Sequence, residues 1–378
     1  MSNPTEALPG PCQEDLELLR NTIRELARGH PGGQPVPADR FGAVFLTGAT
    51  GFVGRFVLSE LLRQNDHMLV HCLVRAGNAK QALARVQAAL ESAGLWDDYL
   101  ADRIRAWPGD LREPRFGLPE LDFRRLCDQV DAVYHLAAER NLLSPYAAMR
   151  EASTRGFRTV LELALRRRAK HLSYASTMEV FPQYFCNFAG RFAGQAIGDE
   201  EQPDPGLMKS VFPPNVLGYP WSNLVVEQAL LSARSAGLPV AIMRLPQLGV
   251  AAATGHPRSS DIKIWIAMAA LDAGVIPSGF RLPWTEPVDT VSEILTAISL
   301  NPRRRHTIYH LCHPAPQTWG LELADFGFGL REVSYAEFKR ACQARAPRGP
   351  LHRHWPLVDR FADYWFPAEP PVRPADLE

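Results

Sequence analysis

Residues 44–62 read VFLTGATGFVGRFVLSELL, and this stretch decides the fold. An apolar, β-branched run ends in a turn with glycines at 48, 51 and 54, and the turn opens onto a segment of helical periodicity. A tight strand-to-helix turn needs glycine, the backbone must approach a pyrophosphate closely, and helix N-terminal amides with their dipole attract anions. The spacing is GxxGxxG rather than GxGxxG, but strand, turn and helix follow in the order that a dinucleotide-binding turn requires. A glycine turn without a ligand is the bland alternative, and the context favours the dinucleotide.

Outward from this turn the chain keeps a rhythm. Short apolar runs at AVFLT (43–47), MLVHCLV (68–74), RIRAW (103–107), AVYHLA (132–137), HLSYAS (171–176) and VAIMRL (240–245) alternate with helical patterns such as AKQALARVQAALESAG and GFRTVLELALRRR. Strand–helix alternation predicts an α/β fold, a doubly wound parallel-sheet Rossmann domain, whose strands are apolar because both faces are covered. The rhythm weakens after residue 250, where helices are expected at 260–275, 291–300 and 334–344 and a strand at TIYHL (307–311). The expected division is an N-terminal helix and linker (1–40), a Rossmann domain (41–250), a smaller, mostly helical substrate lobe (251–345, with 182–216 contributing) and a Pro-rich tail (346–378). Leu16, Leu19, Ile23 and Leu26 give the first helix one apolar stripe, which suits docking onto the body.

Composition excludes several classes. Lys+Arg and Asp+Glu are equal at 41 each, so no global field favours nucleic acid or an anionic membrane. The longest apolar stretch, residues 264–276, is interrupted by Asp272 and is too short to span a bilayer. The N-terminus has no basic segment followed by an apolar run, so it does not read as a secretory signal. The six cysteines form no CxxC and read as free thiols in a reducing cytoplasm.

The second strand ends HCLVRAGNAK, with Arg75 where an NAD site usually holds a carboxylate, and Arg85 follows one helical segment later. Guanidinium groups suit a 2′-phosphate, so NADP(H) is the expected cofactor. Asp110, in PGDL after the third strand, is placed to reach the adenine amino group.

The segments TGATGFVG, LVRA through GDLREPRFGL, VDAVYHLAA, YASTMEVF, GYPWSNLVVEQ and VAIMRLPQLGVAAATG together resemble the thioester reductase domains, members of the extended short-chain dehydrogenase/reductases. These domains are related to fatty acyl-CoA reductases and terminate nonribosomal peptide, polyketide and carboxylic acid reductase systems. The likeness runs from about residue 40 to 343. It implies NADPH-dependent reduction of an acyl thioester to an aldehyde, and sometimes to an alcohol. The thioester would be held on the phosphopantetheine of an acyl or peptidyl carrier protein, or on CoA. It further implies a cofactor set of Gly48, Thr50, Gly51, Phe52, Val53, Gly54, Arg75, Arg85, Asp110, Leu111, Ala137 and Asn223. The catalytic set it implies is Thr177, Tyr219 and Asn223, with Asn223 standing where the family carries lysine.

That substitution has a physical cost. In the family the lysine acidifies the tyrosine and grips the nicotinamide ribose. A cation about 4 Å from a phenol is worth roughly 4 kcal/mol at an effective dielectric of about 20, or about three pKa units. An amide can hydrogen-bond ribose but supplies no charge. Other departures accompany it: HLAA (135–138) for the family's HNGA, and Ser153 where an asparagine is common. The leading expectation is therefore a reductase with slow turnover or a raised pH optimum. The alternative is a redox-impaired nucleotide-binding homologue that releases a chain without reduction or acts as a sensor or scaffold. A sugar-nucleotide or small-carbonyl extended dehydrogenase ranks third. Starting at Met1, the chain is expected to be free-standing with a carrier partner acting in trans, the alternative being a domain excised from a longer enzyme. HTIYHLCH (306–313) is not expected to bind metal, since alternate residues of a strand face opposite sides. Arg166, Arg167, Arg168 and Lys170 are expected to favour a helix C-terminus, docking of an acidic carrier protein being the lesser alternative.

Overall fold

A computed structural model of the chain describes residues 8–29, 33–139, 144–182, 184, 197, 198, 200–257, 262–278, 285–312, 328–346, 349, 351, 352, 354–360 and 362. The expected strands form. They are β1 (Ala43–Thr47), β2 (Leu69–Val74), β3 (Ile104–Pro108), β4 (Ala132–His135), β5 (His171–Thr177) and β6 (Val240–Leu245). With β10 (Ile308–His310) they make one seven-stranded sheet in the order β10-β6-β5-β4-β1-β2-β3. Every pairing in it is parallel. Val44, Phe45, Leu46, Val70, Cys72, Val133 and Tyr134 are fully buried, which is why these strands read as unbroken apolar runs.

Helices α1 (Gly10–Arg28), α2 (Phe52–Gln64), α3 (Ala79–Ser92), α4 (Glu120–Gln129), α5 (Tyr146–Arg150) and α6 (Phe157–Leu165) precede β5. α7 (Pro205–Val211) and α8 (Gly218–Ser235) follow it. A single π turn, Glu151–Arg155, joins α5 to α6. The N-terminal helix docks as expected, packing along α8 and α6. Its buried Asp15 fixes the contact. The carboxylate accepts from Tyr146 Oη at 2.8 Å, from Arg150 at 2.6 and 2.7 Å, and from Arg155 Nε at 3.0 Å. Past the end of α6, Lys170 Nζ donates to the carbonyls of Arg166 and Arg168.

The division into units corrects the expected boundaries. The described residues within 1–180, 199–257 and 286–312 form one unit, and those within 181–198, 258–285 and 313–378 a second. Residues 8–29 and 33–40 are thus part of the body. Residues 286–312 return to it because β10 pairs with β6 and α10 (Val288–Leu300) packs on α2. The body also carries a short pairing of β7 (Leu248–Gly249) with β9 (Glu286–Pro287). In the second unit, α9 (Ile262–Ala273) and α11 (Tyr335–Arg345) pack together beside the parallel pair of β8 (Val275–Pro277) and β11 (Arg331–Val333). Trp265 lies against His354 there, at 4.6 Å between ring centres. Most of the tail 346–378, and residues 185–196 and 313–327, lie outside the described residues.

Candidate active site

The order of strands reverses between β1 and β4, so the C-terminal ends of the strands leave a crevice there, where doubly wound folds bind ligands. A cleft of about 430 Å³ opens at this place. Its walls are the glycine turn after β1, Arg75 at the end of β2, Asp110 and Leu111 after β3, and Ala137 after β4. Arg85 reaches over from α3 and donates to the carbonyl of Arg75. The structure thus gathers Gly48, Thr50, Gly51, Arg75, Arg85, Asp110, Leu111 and Ala137 into one space, while Phe52, Val53 and Gly54 form the first turn of α2.

The glycines are required by packing. Gly48 has a φ of +81°, and a Cβ there would meet the Ala137 nitrogen and the Leu136 carbonyl carbon at 2.8 Å. A Cβ on Gly54 would fall 1.9 Å from the Gly48 oxygen. These clashes show how closely α2 is drawn onto the turn. No side chain caps α2, and its first turn carries no acid, so its positive end is left to an external anion. The arrangement fits a diphosphate. Thr47 holds the neighbouring loop in place: its Oγ1 accepts from the Ala137 N–H at 3.2 Å and lies 2.9 Å from His135 Nδ1. Burial pushes His135 down to about 3, so the imidazole is neutral.

The loop carrying Asp110 is held by strain that the sequence does not reveal. Arg115 and Phe116 both take left-handed backbone, with φ of 53° and 61°. Phe116 is buried between Phe45 and Phe123, and its carbonyl accepts from the Asp110 N–H at 3.0 Å. Gly109 is needed beneath it, because a Cβ would lie 2.4 Å from that carbonyl oxygen.

Beside the cleft, β5 ends at Thr177, whose Oγ1 accepts from the Glu179 N–H at 3.1 Å and so keeps its own proton to donate. α8 packs on β5 and brings Tyr219 into its first turn, as the Pro220 position suggests. Three polar side chains then follow one turn apart on the buried side of α8: Tyr219, Asn223 and Glu227. Asn223 Nδ2 donates to the Tyr219 carbonyl at 2.9 Å, and its Oδ1 accepts from Tyr174 Oη at 2.8 Å. Glu227 accepts from Arg244 at 2.8 and 3.1 Å and from the Ser176 hydroxyl. Both members of that ion pair have no exposed side-chain surface. Arg244 also donates to the Glu201 carbonyl at 2.6 Å and lies 3.0 Å from His310 Nε2. His310, drawn from the HTIYHLCH segment, is therefore a partner of Arg244; His313 lies outside the described residues.

Sequence reading missed Tyr174, Glu227 and Phe116. A signal for Glu227 existed, since it stands four residues after Asn223 inside the apolar run LVVEQALL. Ser153 lies in the π turn, and its hydroxyl is buried with no hydrogen-bond partner among the described residues. Trp221 packs as a core residue, with Nε1 donating to the Phe212 carbonyl at 2.6 Å. Among the described residues no group of His, Cys, Asp and Glu is placed to hold a metal. No helix among them is long and apolar enough to cross a membrane.

Fold and cleft together define a dinucleotide-binding α/β protein. Residues 46–295 match the family described as "Male sterility protein". The chain belongs to this family and, within it, to the thioester reductase domains. It is 32% identical over 337 residues to a linear gramicidin synthase polypeptide of Brevibacillus parabrevis, covering 87% of this chain and 6% of that protein. It is 31% identical over 279 residues to the aldehyde reductase lnbA of Aspergillus flavus, covering 73% of this chain and 27% of that protein. The chain thus spans well under a third of either relative. The terminal R domain of the myxalamid PKS-NRPS pathway superimposes with a TM-score of 0.74 at 31% identity, covering 92% of this chain and 85% of that one. A nonribosomal peptide synthetase R domain from Mycobacterium tuberculosis has the same fold, with a TM-score of 0.72 at 23% identity over 93% of this chain and 86% of that one.

Proposed function

We propose that the protein is an NADPH-dependent reductase, working in the cytoplasm, of an acyl thioester carried on the phosphopantetheine of an acyl or peptidyl carrier protein, with an acyl-CoA as the lesser candidate. The observation that carries this reading is the alignment of three neighbouring strand ends. Thr47 and His135 hold the nucleotide cleft together, and Thr177 ends the next strand with a hydroxyl able to donate. The glycine turn and the start of α2 would hold the diphosphate. Arg75 and Arg85 would hold the 2′-phosphate, and Asp110 and Leu111 the adenine. When bound, NADPH supplies the hydride that converts the thioester carbonyl to a thiohemiacetal, which sheds its thiol to leave the aldehyde. Tyr219 gives its phenolic proton to the carbonyl oxygen as charge builds there, and Thr177 donates a hydrogen bond to the same oxygen. Asn223 orients the ribose.

The second reading, a nucleotide-binding protein without a redox step, is favoured by one feature. Asn223 replaces the cation, and the nearby Arg244 is already closed onto Glu227. Stopped-flow NADPH oxidation with acyl-pantetheine substrates tests the choice. Slow oxidation is expected. Tight NADPH binding with no oxidation across several acyl classes would refute the reductase. Calorimetry with NADPH and NADH tests the cofactor, with NADPH expected to bind more tightly.

A further inference from the structure

The Asn223 carboxamide has two N–H groups and two acceptor lone pairs. One N–H is taken by the Tyr219 carbonyl and one lone pair by the Tyr174 hydroxyl. Turning the amide over would set its oxygen against the Tyr219 carbonyl oxygen, so these two partners decide which end is which. Tyr174 is well suited to hold the oxygen end. Its ring is stacked on His135 at 5.9 Å and meets Phe157 edge-on at 5.8 Å, so the phenol is rigid. Burial, with Glu227 and Tyr219 adding to it, raises its pKa well above that of an ordinary tyrosine, so the group stays a donor.

We propose that Tyr174 is a positioning residue for the cofactor: by holding Oδ1 of Asn223, it aims the remaining amide N–H at the ribose. The inference rests on the reading that Asn223 faces bound NADPH. It makes the Tyr174–Asn223 pair a neutral replacement for the ribose grip of lysine, without the effect of lysine on the acidity of Tyr219.

The test is a set of variants studied by NADPH calorimetry and thermal melting. Tyr174→Phe should weaken NADPH binding about fivefold and Asn223→Leu about tenfold. The double variant Tyr174→Phe/Asn223→Leu leaves neither group orphaned, so it should recover stability. Its affinity should match that of Asn223→Leu alone, because the hydroxyl acts only through the amide. A purely structural tyrosine would instead give effects on affinity that multiply. Multiplying effects, unchanged affinity in Tyr174→Phe, or parental affinity in the double variant each overturn the inference. Failure of the parent protein to bind NADPH at all overturns the cofactor reading and the inference with it.

Discussion

Asn223→Lys restores the cation that the family carries, and the structure sets the size of its effect. A new ammonium about 4 Å from the Tyr219 phenol is worth roughly 4 kcal/mol at an effective dielectric of about 20. Glu227 lies one turn further along α8, about 6 Å by helical rise, and would draw the ammonium away. Its carboxylate is already held by Arg244 at 2.8 Å, so that competing pull is largely cancelled. Burial opposes any new charge here, since Asn223 is 2% exposed. Allowing for this, the phenol should become about two pKa units more acidic than in the parent. With half of that change expressed in proton transfer, hydride transfer at neutral pH should rise about tenfold. Reduction requires the phenol protonated, so the alkaline loss of rate should begin about two pH units earlier in the variant. Tyr174→Phe belongs in the same protein, because a Tyr174 hydroxyl without its acceptor would cost about 1–3 kcal/mol. Single-turnover NADPH oxidation from neutral to strongly alkaline pH is the assay. If the variant binds NADPH normally and shows neither the rate gain nor the earlier alkaline limb, Tyr219 is not the proton donor.

Gly54→Ala drives a Cβ to within 1.9 Å of the Gly48 oxygen; calorimetry should show NADPH affinity falling by roughly 100-fold or more. Arg75→Glu should weaken NADPH about 10- to 100-fold, as for a lost charged hydrogen bond, and leave NADH unchanged. Glu227→Gln leaves the Arg244 charge buried without its counter-charge, at a cost of about 3–5 kcal/mol read as a lower melting temperature. Asp15 should govern acid stability. Burial raises its pKa, but the bonds from Arg150, Arg155 and Tyr146 outweigh this and hold the carboxyl below the usual range. Its contribution is therefore full above about pH 4 and is lost as pH falls through the folded-state value. Asp15→Asn should flatten the acid limb of the melting curve.

The sheet was legible because its strands are buried on both faces, and α2 opens at Phe52, directly after the turn of Gly48 and Gly51. The place of residues 286–312 was not legible. Their strand has three residues, and nothing local says that it pairs with β6 rather than within a separate lobe. The cleft followed from the glycines, Arg75 and Asp110, since strand order alone brings strand ends together. Tyr174 was hidden because an aromatic residue in HLSYAST looks like packing; its role depends on a partner 49 residues away. The left-handed pair Arg115–Phe116 was hidden for a related reason. Only the fit of Phe116 between two other rings pays for backbone that neither residue prefers.

The anchoring of the first helix bears on where this chain can be cut. The interval of family likeness, 46–295, is narrower than the unit that holds together. Trimming to it would remove Asp15 and strand the guanidinium of Arg150. It would also tear away the strip that pairs with β6, leaving a row of bare amides as a seam for aggregation. A fragment drawn by resemblance would precipitate where one drawn by contacts would stay dissolved.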